Sequence, residues 1–339
     1  MDNFPQWLEA SRASLETLAE RGRFPHALLI HGPEGNGRRL LAFWAIGRLL
    51  ESDDFTLDAG SNIGRVLDPG AVPYHPDFNL VQPERDEKDK KKEKEKQTIS
   101  IAQIRSLISF LELTSHQGGA KAALISPAQA LTPHAANSLL KTLEEPPGDS
   151  LIVLVADSLS RIPSTVISRC HRVRLTLPSP EAATVWLRGH RAEVDWEPAL
   201  ELAGGAPFKA LELHHSGFAG QAGEFEQDIR ALLDKRVTPA GVAKRWSGQD
   251  ADRYLRWLYQ RVSREIRELF TAGGSNDIQT PRNRHLQMGL KTLNIENSFA
   301  CLRDINELRR LQGAGLNGDL QLTNLLTRWY GGGRAARTS

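Results

Sequence analysis

Gly32-Pro-Glu-Gly-Asn-Gly37-Arg38-Arg39 has the spacing of a phosphate-binding loop, G-x-x-x-x-G followed by a lysine and a hydroxyl residue. In such a loop the lysine reaches the β- and γ-phosphates and the hydroxyl ligates Mg²⁺. Here those two positions hold Arg38 and Arg39. A guanidinium is a planar fork and does not replace a compact ammonium. Arg39 offers donors only, so it cannot ligate a metal, and it puts positive charge where a divalent cation would sit. Hydrolysis of ATP also needs carboxylates at the end of an apolar strand. The candidate strand, Ala122 to Ile125, runs instead into Ser126-Pro127-Ala128-Gln129. These residues predict no ATPase in this chain and no bound metal or cofactor. Gly32, Gly35 and Gly37 read as a tight strand-to-helix turn, a vestigial loop expected to stay empty of ATP. A second cluster is Ser168-Arg169-Cys170. Neither His171 nor a nearby acid completes a triad with Ser168, and Cys170 reads as a small packed residue.

The elements around these residues alternate. His26-Ala-Leu-Leu-Ile-His31 is a short apolar strand, and Arg38 to Leu50 has helical spacing of apolar residues. Asp77 to Val81 and Ala120 to Ser126 read as strands, with a helix between them capped by Ser100. Thr132-Pro133 starts a helix that Pro146-Pro147 stops. Leu151 to Ala156 is an unbroken apolar run, as in a strand covered on both faces, and Arg172 to Leu177 reads as one more strand. This order predicts an α/β unit with an open, mostly parallel sheet over residues 1–177. Short helices over Glu181–Gly189 and Glu197–Ala203 form a second unit, residues 178–218, with Gly204-Gly205 as a break. Apolar stripes in Arg253–Phe270, Ile295–Leu311 and Asp319–Trp329 predict an all-α bundle over 219–330, with a disordered tail over 331–339.

Of the 339 residues 40% are hydrophobic and 25% charged, close to an ordinary globular chain. No run reaches the ~18 apolar residues needed to span a bilayer. Two scattered cysteines, Cys170 and Cys301, cannot build a disulfide framework or a four-cysteine zinc site, so a cytoplasmic location is expected. The net charge of +2 and the lack of an aromatic-interleaved basic stripe argue against a DNA-binding module acting alone. Residues 219–339 hold 19 basic and 13 acidic side chains, read as solvated outer faces. Glu84 to Lys96 carries seven positive and six negative side chains and reads as a solvated loop.

Together, His26–Gly37, Asn137-Ser-Leu-Leu-Lys-Thr-Leu-Glu-Glu-Pro-Pro147 and Ser168-Arg169-Cys170 resemble the clamp-loader branch of the AAA+ ATPases. His75-Pro-Asp77, Gly118-Gly-Ala-Lys121 and Leu320-Gln-Leu-Thr-Asn-Leu-Leu326 add to the likeness, which runs from about residue 5 to residue 330. The resemblance implies a RecA-like domain, a small helical lid and a C-terminal helical collar. It further implies an arginine finger acting in trans, which here is Arg169, directed at ATP held by a neighbouring subunit. Implied partners are ATPase subunits of the gamma/tau type and a delta subunit in a hetero-oligomeric ring, with the sliding clamp and primed DNA reached through that complex. The implied role is a non-hydrolysing subunit in ATP-driven opening and loading of the clamp for a DNA-directed DNA polymerase. The alternative is an autonomous AAA+ ATPase with an atypical phosphate loop. Where many relatives carry a four-cysteine zinc module, residues 51–74 contain no cysteine, so zinc is not expected. Lys209 lies in the region where active relatives keep a sensor arginine.

Overall fold

The structure is a computed structural model that describes residues 4–52, 55, 73–83, 98–116, 119–246, 251–272, 295–311 and 318–331. The charged stretch Glu84–Lys96, most of residues 51–74 and all of the predicted tail except Gly331 lie outside the described residues. Two compact units are present, residues 1–212 and 213–339.

The first unit opens with α1 (Gln6–Glu20), β1 (Ala27–His31) and α2 (Arg38–Leu50), then β2 (Phe78–Val81), α3 (Ile101–Glu112) and β3 (Lys121–Ile125). It continues with α4 (Pro133–Glu144), β4 (Ser150–Ala156), α5 (Ser164–Ile167) and β5 (His171–Arg174). The five strands are all parallel in the RecA-like order β2-β3-β4-β1-β5. β1 aligns His31 with Ala156 of β4 on one side and with Arg174 of β5 on the other. All seven residues of β4 are buried, which is why that run is apolar without alternation. β5 is shorter than the sequence predicts. It ends at Arg174, and Leu175 makes a single further bond from its N–H to the His31 carbonyl.

The caps behave as their residue types require. Ser100 and Gln103 exchange bonds in a capping box at the start of α3. The Thr132 hydroxyl accepts from the Ala135 N–H, with Pro133 at the first helical position of α4. α6 (Pro180–His190), α7 (Glu197–Leu202) and α8 (Pro207–His215) follow. Gly204 and Gly205 close α7 at positive φ, the break the sequence predicts, and Pro207 starts α8 at once, a helix the sequence patterns did not delimit.

The second unit consists of α9 (Phe218–Leu233), α10 (Pro239–Trp246), α11 (Ala251–Ala272), α12 (Ile295–Leu311) and α13 (Gly318–Gly331). The sequence reads as helical from about Ala219 and locates α11, α12 and α13 to within two residues, without separate bounds for α9 and α10. α10 packs on α13, and α12 packs on both α11 and α13. Phe225, Trp246, Tyr254 and Trp257 form an aromatic cluster, with the Trp246 and Tyr254 rings stacked at 5.1 Å. Among the described residues no helix is long and apolar enough to cross a membrane.

Candidate functional site

Parallel order places the segments after β1, β3 and β4 side by side at the carboxyl edge of the sheet, where open α/β sheets bind ligands. The loop after β1 holds Gly35 and Gly37 at φ of +77° and +98°, a conformation that glycine adopts without a side-chain clash. Arg38 opens α2 and is 8% exposed. Its Nη1 lies 2.5 Å from Asp157 Oδ1. Asp157 is the first residue after β4, and its other carboxylate oxygen accepts from Gln129 Nε2 at 2.6 Å. Gln129 Oε1 in turn accepts from the Asp157 N–H. One chain of charge and hydrogen bonds therefore links all three segments. β3 itself still ends without a carboxylate, so the one at this edge comes from the neighbouring strand. The sequence offered one signal for Asp157: it is the first polar residue after the fully apolar strand that flanks β1.

Arg39 turns its guanidinium over the ring of Phe43, one helical turn along α2, with Cζ 5.5 Å from the ring centre. The other side of the loop meets α1 and α8. The Phe208 N–H donates to the Gly35 carbonyl at 3.0 Å. A Cβ on Gly35 would lie 2.9 Å from the Lys209 backbone N, and one on Gly37 would meet Leu8 and Phe208. Trp7 Nε1–H donates to the Asn36 carbonyl at 2.9 Å, and the Trp7 and Trp186 rings meet edge to face at 5.3 Å. Lys209 Nζ donates to Glu212 at 2.7 Å and lies 3.6 Å from Glu34 of the loop. Sequence patterns gave no role to Trp7 or Trp186, because their apolar spacing reads as ordinary core.

His31 and the β5 arginines flank this edge. The His31 pKa is lowered by burial first, and then by the nearby cations Arg174, Arg172 and Arg38.

Ser168-Arg169-Cys170 follows α5, between that helix and β5. Arg169 Nε donates to Glu144 Oε1 at 2.6 Å, and its Nη2 pairs with the same oxygen. Nη1 donates to the Thr165 carbonyl at 2.9 Å and reaches Ser168 Oγ at 3.5 Å. Glu144 is the last residue of α4, so two of the sequence segments singled out above meet here. Burial pushes the Cys170 thiol up to about 12, which keeps it protonated and unreactive at neutral pH.

A family model described as "DNA polymerase III, delta subunit" matches residues 8–179. The DNA polymerase III subunit delta' of Pseudomonas aeruginosa is 34% identical over 249 residues, 71% of each chain. The same-named proteins of Yersinia pestis and Escherichia coli are each 28% identical, over 96% and 95% of this chain and 95% and 94% of their own. The family match spans the sheet, the altered loop and Arg169, and the relatives extend it through the C-terminal helices: the chain belongs to the family of DNA polymerase III delta-prime subunits.

Proposed function

We propose that this chain is a non-hydrolysing subunit of the DNA polymerase III clamp loader. Its C-terminal helices join ATPase subunits of the gamma/tau type and a delta subunit in a ring, and the assembly opens and loads the sliding clamp onto primed DNA. The chain contributes Arg169 to ATP bound by a neighbour. A fixed cation that never loses its charge stabilises a transferring phosphoryl group, an effect of about 10³–10⁵ in rate in related systems.

One observation carries this reading. The basic residue of the chain's own phosphate loop is buried and paired with Asp157 of the same chain, while Arg169 keeps 31% of its side chain exposed. The donor set at the loop does not suit magnesium and ATP. Arg39 stands in place of the hydroxyl ligand, Arg38 is paired with Asp157, and the α8 backbone is bonded to the carbonyl of Gly35. No cofactor or metal is assigned to this chain.

Two measurements test the proposal. Titrating the isolated chain with Mg-ATP is expected to give no micromolar binding and no turnover. Binding with turnover that Arg38→Ala abolishes would favour an autonomous ATPase. In the reconstituted complex, Arg169→Ala is expected to leave assembly intact and lower ATP turnover. Full assembly with unchanged turnover would remove the trans-finger role.

A further inference from the structure

We infer that Glu144 is the positioning residue for Arg169, an inference that rests on the trans-acting role proposed above. A long arginine side chain has many rotamers to lose. A finger that must find a phosphate across an interface performs best when that freedom is already removed. Glu144 is built to remove it. It sits at the last turn of α4, where Leu143 beside it is fully buried and the Leu143 carbonyl accepts from His26 Nε2 at 2.9 Å. Pro146 and Pro147 stop the helix directly beyond. The carboxylate is thus anchored to the sheet and does not ride on a loose loop.

The pairing geometry fixes the plane of the guanidinium. Glu144 takes Nε and Nη2 through the single oxygen Oε1, and the Thr165 carbonyl takes Nη1 from the opposite side. Thr165 belongs to α5, whose Val166 is fully buried, so both supports stand on packed helices. A guanidinium has five N–H donors. Nη2 retains one beyond its bond to Glu144, and the Arg169 side chain is 31% exposed. A phosphate can therefore approach while Glu144 and Thr165 keep their bonds. Glu144 orients the cation and does not itself meet the reacting phosphate.

The test uses the assembled complex and follows kcat and KM for ATP separately. Glu144→Ala is expected to lower turnover at the site served by Arg169 about tenfold, short of the roughly 10²-fold that a fully misplaced group can cost, with KM and assembly unchanged. Glu144→Gln, which keeps an acceptor oxygen in place, is expected to recover most of that loss. In an Arg169→Ala background, Glu144→Ala is expected to cost nothing more, because the two act as one unit. If Arg169→Ala lowers turnover and Glu144→Ala raises it or leaves it unchanged, Glu144 does not position the finger, although the finger itself stands. A further loss in the Arg169→Ala background would equally overturn the inference, since Glu144 would then act elsewhere. Unchanged turnover in fully assembled Arg169→Ala complex removes the finger, and Glu144's role falls with it.

Discussion

Arg38 and Asp157 show how one substitution at a phosphate loop changes what its neighbours must do. A cation at 8% exposure needs a counter-charge, and the carboxylate after β4 supplies it. Removing that carboxylate leaves the arginine buried and uncompensated. Asp157 is itself half exposed, so water screens part of the loss. Asp157→Ala is expected to destabilise the fold by about 1–3 kcal/mol, below the range for a fully enclosed pair. Urea denaturation read by far-UV circular dichroism checks this, and an unchanged midpoint would show that the pair contributes nothing. The same edge makes a pH prediction. The folded pKa of His31 is lowered below 6.5 by burial and by Arg174, Arg172 and Arg38. The unfolded chain therefore binds the proton first, and stability falls as pH drops below 6.5 towards the folded value. His31→Gln is expected to flatten that part of the profile. Equal losses in both proteins on crossing pH 6.5 would assign the dependence to other groups.

At the scale of elements, the helices of the second unit are held by charge as well as by aromatic packing. Arg261 of α11 donates to both carboxylate oxygens of Glu226 on α9, at 2.8 and 3.2 Å, and is only 9% exposed. Burial pushes the Glu226 pKa up, but Arg261 and then Arg230 outweigh it and hold the group below the ordinary carboxylate value. Its contribution is therefore complete above the unfolded pKa and is lost as pH falls through the lower folded one. Glu226→Gln is expected to cost about 1–3 kcal/mol at neutral pH and to weaken the acid-side slope. Thermal unfolding across the acid range measures both, and a variant with an unaltered slope would show that Glu226 does not drive it. These helices also show what sequence periodicity reveals. Leu255, Leu258 and Val262 of α11 are each buried at helical spacing, so the stripe and the structure coincide. In α9 the buried Phe225, Ile229 and Leu232 keep the same spacing, but glycines and charges interrupt the stripe and leave the bounds of the helix undrawn in the sequence. In the first unit, β4 and the caps at Ser100 and Thr132 were legible because single residues determine them. The Arg38–Asp157–Gln129 chain was not, because it depends on which strands lie side by side, and sheet order is not written in local spacing.

For the whole molecule, the chain divides into two compact units, residues 1–212 and 213–339. The first unit carries the altered loop and Arg169, and its sheet core is complete within itself, from Leu28 and Ile30 to Val153 and Leu154. α8 ends at His215 and buries Phe208 and Leu211, of which Phe208 meets the loop at Gly35 and Gly37. Phe218 opens the next helix, and its ring meets Phe225 at 5.3 Å as part of the aromatic core of the second unit. A chain ended after Gly217 therefore keeps α8 whole and removes that aromatic core entirely. Its sheet loses none of its strands, so it is expected to unfold cooperatively in calorimetry, as a single domain of its own. If the C-terminal helices are the means of assembly, the same fragment is expected to fail to co-purify with the ATPase and delta subunits. Loss of binding by a fragment that is still folded would locate the assembly surface beyond residue 217. Recovery of the complete complex from that fragment would instead place assembly on the sheet-bearing unit, where Arg169 would then have to serve both as contact and as finger.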